Sequence, residues 1–158
     1  MKNLLIVMLL CGSVLAASTK KKTLDKKVQK QLIQVMEKNV TLHEAFFNYN
    51  ADRVEDAADD MEDAIEEIKD PEIAKLLKQS KELLDGIDDD KTREDNNKAY
   101  HLISVELIKI KNTYDLGGKY AAFSCPMVNK KWIQSKSRYK KVMNPYDPSM
   151  PHCGSMDD

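Results

Sequence analysis

The sequence predicts an all-α protein: a four-helix up-down-up-down bundle with a non-helical C-terminal tail packed on it. Apolar residues recur at helical spacing through four successive segments between Leu24 and Leu116. Helix-start residues stand in the gaps between those segments. The 158-residue chain holds only five glycines and five prolines, and four of the prolines lie beyond Gly118. That scarcity favours long helices over a turn-rich β fold.

The first segment, Leu24 to Phe47, sets Val28, Leu32, Val35, Met36, Leu42, Phe46 and Phe47 on one face. The stretch NYNAD, Asn48 to Asp52, interrupts it. Asn50 suits the cap of the next helix, because its side-chain oxygen can accept from a first-turn amide. The second segment, Asp52 to Lys69, carries Val54, Ala57, Ala58, Met61, Ala64, Ile65 and Ile68 along one stripe. Asp70-Pro71 then reads as cap and first helical position, where the missing proline N–H costs nothing. The third segment shows Ile73, Leu76, Leu77, Leu83, Leu84 and Ile87, with Gly86 available to end it. Thr92 and Asp95 resemble a capping box with aspartate in the glutamate position. A fourth helix follows to about Leu116, striped by Ile103, Leu107, Ile110 and Tyr114 and stopped by Gly117-Gly118. Short connections make consecutive helices antiparallel neighbours. No strand alternation of useful length is visible, so residues 119 to 158 read as an irregular tail completing the same domain.

The N-terminus, MKNLLIVMLLCGSVLAASTKKK, joins one early lysine to a short apolar run and a small-residue exit. This is the pattern of a secretory signal peptide over residues 1–16, with the mature chain, residues 17 onward, beginning near Ala17. The run is too short to span a bilayer, which takes about 20 apolar residues. Lipoprotein acylation at Cys11 is the weaker alternative, because Leu10 stands where a small residue is required. The expected location is the periplasm. Without residues 1–16 the chain has 24 basic and 26 acidic side chains. A slightly acidic balance argues against a nucleic-acid binder.

Charge is unevenly spread. Asp52 to Glu72 holds 11 acidic and two basic residues; Lys119 to Lys141 holds seven basic and no acidic ones. Asp56, Asp59, Asp60, Asp63 and Glu67 lie off the apolar stripe and read as a solvated face, since no EF-hand loop with its glycine is present. The polarity reads as intramolecular, with Lys130, Lys131, Lys136, Arg138, Lys140 and Lys141 lying across the acidic helix.

The chemistry gathers in the tail. FSCPM, Phe123 to Met127, and MPHCGSM, Met150 to Met156, contain the two cysteines that survive export. Cys125 and Cys153 are 28 positions apart in a compartment that permits disulfides. A disulfide between them is one reading. The other is a soft-metal site, because thiolate and thioether sulfurs select Cu(I) or Ag(I) over hard cations. In an extended stretch Cys125 and Met127 would point the same way; Met150, His152 and Cys153 form the second cluster. Zinc would more usually show paired C-x-x-C or H-x-x-x-H spacings. Met143 reads as core filler. His43 and His101 read as helix-boundary residues with their polar edges wet. No G-x-S-x-G, glycine-rich phosphate loop or H-E-x-x-H is present, so the chain reads as a non-enzyme.

The tail elements Cys125-Pro126-Met127, Trp132, Asn144-Pro145-Tyr146, Met150 and Cys153-Gly154 resemble the C-terminal signature of a helical domain of unknown function in bacterial exported proteins. That domain also occurs fused to periplasmic adaptor subunits of copper- and silver-type heavy-metal efflux systems. The resemblance implies a periplasmic helical domain with a soft-metal role, Cys125, Met127, Met150 and Cys153 as its sulfur ligands, and efflux components as partners. His152 is added from this sequence alone. The rival expectation is a metal-free interaction domain stapled by Cys125 and Cys153. The sequence leaves the oligomeric state open.

Overall fold

The computed structural model describes residues 20–157, so the expected signal peptide and Cys11 lie outside the described residues. Four helices come first: α1 (Lys26–Phe47), α2 (Ala51–Glu66), α3 (Pro71–Leu84) and α4 (Arg93–Thr113). Their starts follow from the caps. The side chains of Asp25, Asn50, Asp70 and Thr92 each accept from a first-turn amide, and Pro71 opens α3. Each such cap satisfies a backbone donor that helix geometry would otherwise leave unpaired. The α1–α2, α2–α3 and α3–α4 pairs pack as neighbours around Leu32, Met36, Met61, Leu77, Ile103 and Leu107, all fully buried.

The all-α expectation fails in the tail. Three strands follow the helices: β1 (Tyr120–Cys125), β2 (Lys130–Ser135) and β3 (Ser155–Asp157). They form one antiparallel sheet in the order β2-β1-β3, with Phe123 opposite Trp132 on one side and opposite Met156 on the other. The fold of the described residues is therefore mixed, four helices with a three-stranded sheet. The strands are hidden from pattern reading because burial overrides their alternation. Tyr120 to Phe123 are all buried, as are Trp132 to Ser135. A short run buried on both faces carries no period of two. β3 has only three residues.

The sheet closes the bundle, because β2 packs against both α4 and α1. The β1–β2 turn runs through Pro126, Met127, Val128 and Asn129, and Asn129 takes the left-handed conformation that asparagine tolerates better than most side chains. The expectation that the basic tail crosses the acidic helix also fails. Among the described residues, its ion pairs reach α1 and β3: Lys119 with Glu37, Arg138 with Glu44, and Lys131 with Asp157. Topology explains this, since the sheet occupies the α1/α4 side whereas α2 packs on α1 and α3. Among the described residues, no helix is long and apolar enough to cross a membrane.

Candidate metal centre

Cys125 ends β1 and Cys153 stands two residues before β3. Pairing of Ser124 with Ser155 brings the two cysteines together, and they are disulfide-bonded with Cα atoms 5.7 Å apart. Gly154, next to Cys153, has φ +140°, and a β-carbon there would stand 2.7 Å from the Trp132 ring and 2.9 Å from the Ser124 carbonyl. Only glycine fits that approach without displacing the indole. Trp132 is fully buried, stacks on Phe123 and meets Tyr146 edge-on. The cysteine pair, Gly154 and Trp132 thus form a single packing unit.

Side-chain amides hold the irregular part of the tail. Buried Gln134 donates to the Lys141 carbonyl at 2.6 Å and accepts from the Met143 amide at 2.9 Å. Buried Asn144 donates to the Met150 carbonyl at 3.1 Å, and its own N–H donates to the Pro151 carbonyl at 2.9 Å. Its side-chain oxygen accepts from the Tyr146 amide at 3.1 Å, and the Tyr146 hydroxyl donates to the Lys131 carbonyl at 2.7 Å. These bonds replace the ladder that the segment lacks, so its buried backbone groups are paired.

The predicted ligands are divided by this arrangement. Met150, His152 and Cys153 share one turn, where the Cys153 amide donates to the Met150 carbonyl at 3.1 Å, and the disulfide ties Cys125 of β1 to that turn. Met127 does not join them. The strand ends at Cys125, so the alternation expected of C-x-M breaks at the turn, and Met127 is 72 % exposed at the hairpin tip. Cys125 is buried, Cys153 and Met150 are partly buried and His152 is exposed. The His152 ring places Nδ1 2.7 Å from the Val142 carbonyl. A carbonyl only accepts, so Nδ1 carries a proton and Nε2 is the nitrogen not engaged by the backbone. A metal-bound histidine donates from its other ring nitrogen to the backbone in this way.

No family model, curated protein or solved structure matches the chain.

Two features escaped the sequence reading. His43 is fully buried rather than wet at its edge, with Nδ1 3.2 Å from the Tyr100 hydroxyl and the Tyr139 ring 6.2 Å away. Its Nε2, and both amide atoms of Asn39 one turn earlier, have no hydrogen-bond partner among the described residues. Burial lowers the His43 pKa to about 3 and raises that of Tyr100. His101 sits at the sheet edge, where its Nδ1 accepts from the Lys131 amide at 3.2 Å. The tail thus folds onto both histidines without bringing either beside a cysteine. The second feature is acidic: Glu55, Asp88 and Asp89 bring carboxylate oxygens within 4.8 Å of one another. Glu55 raises the pKa of Asp89 by charge repulsion. These are hard ligands, unsuited to a soft ion.

Proposed function

We propose that the protein is an exported, non-catalytic soft-metal handling protein of the periplasm. It takes Cu(I) or Ag(I) through Cys125 and Cys153 when these are reduced, in the service of metal efflux or storage. The observation that carries this reading is the convergence of the two cysteines, 28 positions apart in sequence, at the turn that also holds Met150 and His152. Two-electron reduction by a dithiol donor opens the disulfide to two thiols, and each loses its proton on binding the metal. The exchange would start at Cys153, which is partly exposed while Cys125 is buried. The tail signature and its resemblance to a domain fused to metal-efflux adaptors supply the metal class.

A second reading has its own observation. The disulfide is closed, and Gly154, Trp132, Asn144 and Tyr146 all have structural roles around it. On that reading the pair is a staple in a metal-free interaction domain. Free-thiol titration of protein taken from its native compartment, followed by anaerobic Cu(I) competition after reduction, separates the two. The metal reading expects one Cu(I) per reduced chain, abolished by Cys153→Ser and weakened roughly tenfold by Met150→Leu, the loss of one soft ligand. No uptake by the reduced protein would leave the staple alone.

A further inference from the structure

Met143 and His152 lie nine positions apart, and the fold fastens their two segments side by side. Val142 accepts from the His152 Nδ1–H at 2.7 Å, and Asn144 donates from its amide to Pro151 at 2.9 Å and from its side chain to Met150 at 3.1 Å. Met143 is therefore flanked on both sides by residues bonded to the His152 segment. Its own amide is fixed on buried Gln134 at 2.9 Å. Met143 and His152 line a common open surface hollow of about 290 Å³, which Phe47 of α1 also lines. Neither group belongs to the disulfide, and the His152 hydrogen bond occupies Nδ1, so Nε2 is the ring nitrogen left for a ligand.

We propose that Met143 and His152 form a second soft-metal site, for Ag(I) or Cu(I), that operates while the Cys125–Cys153 disulfide is closed. The inference rests on the soft-metal reading above and extends it to the oxidised protein. A thioether and an imidazole are soft and borderline ligands that suit a d10 monovalent ion, and neither requires a reductant. Three cations also border the hollow: Arg138, Lys140 and Lys141. Arg138 is neutralised by Glu44 at 2.7 Å. The two lysines are exposed, where water screens their repulsion of a bound cation. They favour a monovalent over a divalent guest. In function, such a site would hold the ion at the residue that precedes Cys153 in the chain until reduction opens the disulfide.

The test titrates Ag(I), which does not cycle redox state under these conditions, as the nitrate into disulfide-closed full-length mature protein. Methionine ε-methyl and histidine ring NMR signals report where the ion sits. Expected are shifts at Met143 and His152, and at least tenfold weaker binding in both Met143→Leu and His152→Gln, with Met127→Leu unchanged. The methyl and ring signals of the unsubstituted protein keep the test valid if a variant misfolds. Shifts confined to other methionines, or no binding to the closed form, would overturn the inference. If the closed form fails to bind but the reduced form takes up Cu(I), only this inference falls. If neither binds, the soft-metal reading falls with it.

Discussion

The helical half and the tail are built by different means. Residues from Lys26 to Thr113 hold together by stripes of apolar side chains, with Leu32, Met61, Leu77 and Leu107 fully buried. The tail has six-residue strands at most, and its buried layer includes Gln134, Ser135 and Asn144 beside Trp132 and Ile133. The bundle gains stability in proportion to apolar area, which is non-directional. The tail depends on a covalent bond and on side-chain hydrogen bonds with fixed geometry, each of which costs more when half-made than it contributes when whole. The two halves should therefore fail differently, although they share one core.

Removing the staple tests this most severely. Replacing Cys125 and Cys153 by alanine, which frees a loop of 28 positions, should destabilise the protein by about 3–4 kcal/mol on the loop-entropy estimate. The single tryptophan, Trp132, reports the tail, while far-ultraviolet circular dichroism reports the helices. With the disulfide intact, the two signals should lose structure together in urea. Without it, tryptophan fluorescence should change at lower urea than helicity. Coincident transitions in the double variant would show that bundle and tail are a single cooperative unit and that the contrast is one of construction only.

The same contrast explains what could be read in advance. Helices α1 to α4 were legible because each has one buried stripe and a cap: Asn50, Asp70 and Thr92 all act where the sequence placed them. The tail was legible as a motif but not as a shape. Tyr120-Ala121-Ala122-Phe123 is buried throughout, so it showed no alternation, and Lys130-Lys131 disguised the start of β2. The Cys125–Cys153 contact was one of two open readings, and strand pairing decides the geometry. Met127 stands exposed at the hairpin tip because the chain turns at Pro126, whereas its spacing from Cys125 suits an extended stretch. Met143 could not be distinguished from core filler, since its pairing with the His152 segment depends on Asn144 and Gln134.

Acid should next separate the halves at their junction, because His43 of α1 lies against Tyr100 of α4 and Tyr139 of the tail. Its pKa is about 3 in the fold against an ordinary 6.5. Between those values the unfolded chain binds a proton that the native state refuses, so stability is lost as pH falls from 6.5 toward 3 and is unaffected above. The slope approaches 1.4 kcal/mol per pH unit, or about 2 kcal/mol lost by pH 5. Urea melts at pH 7, 6 and 5 should show this fall, and His43→Leu should flatten it. An equal fall in the variant would assign the acid sensitivity to other groups.

The smallest effect is expected where the tail touches the bundle through solvent. Arg138 donates to Glu44 of α1 at 2.7 Å, with side chains 52 % and 29 % exposed. Such a pair contributes about 0–1 kcal/mol, since water screens the attraction and ordering two long side chains opposes it. Arg138 also lies over the Tyr139 ring, 5.8 Å from its centre, an exposed cation–π contact of about 0.5–1 kcal/mol. Arg138→Ala should therefore cost between about 0.5 and 2 kcal/mol in urea melts at low salt. At 1 M salt the screening length falls to about 3 Å, which removes most of the ion-pair part. What remains measures the packing of the arginine stem and ring contact. A cost above about 2 kcal/mol that persists in salt would exceed what an exposed pair can supply. It would mean that the tail is anchored to α1 through Arg138 as firmly as through its own buried residues.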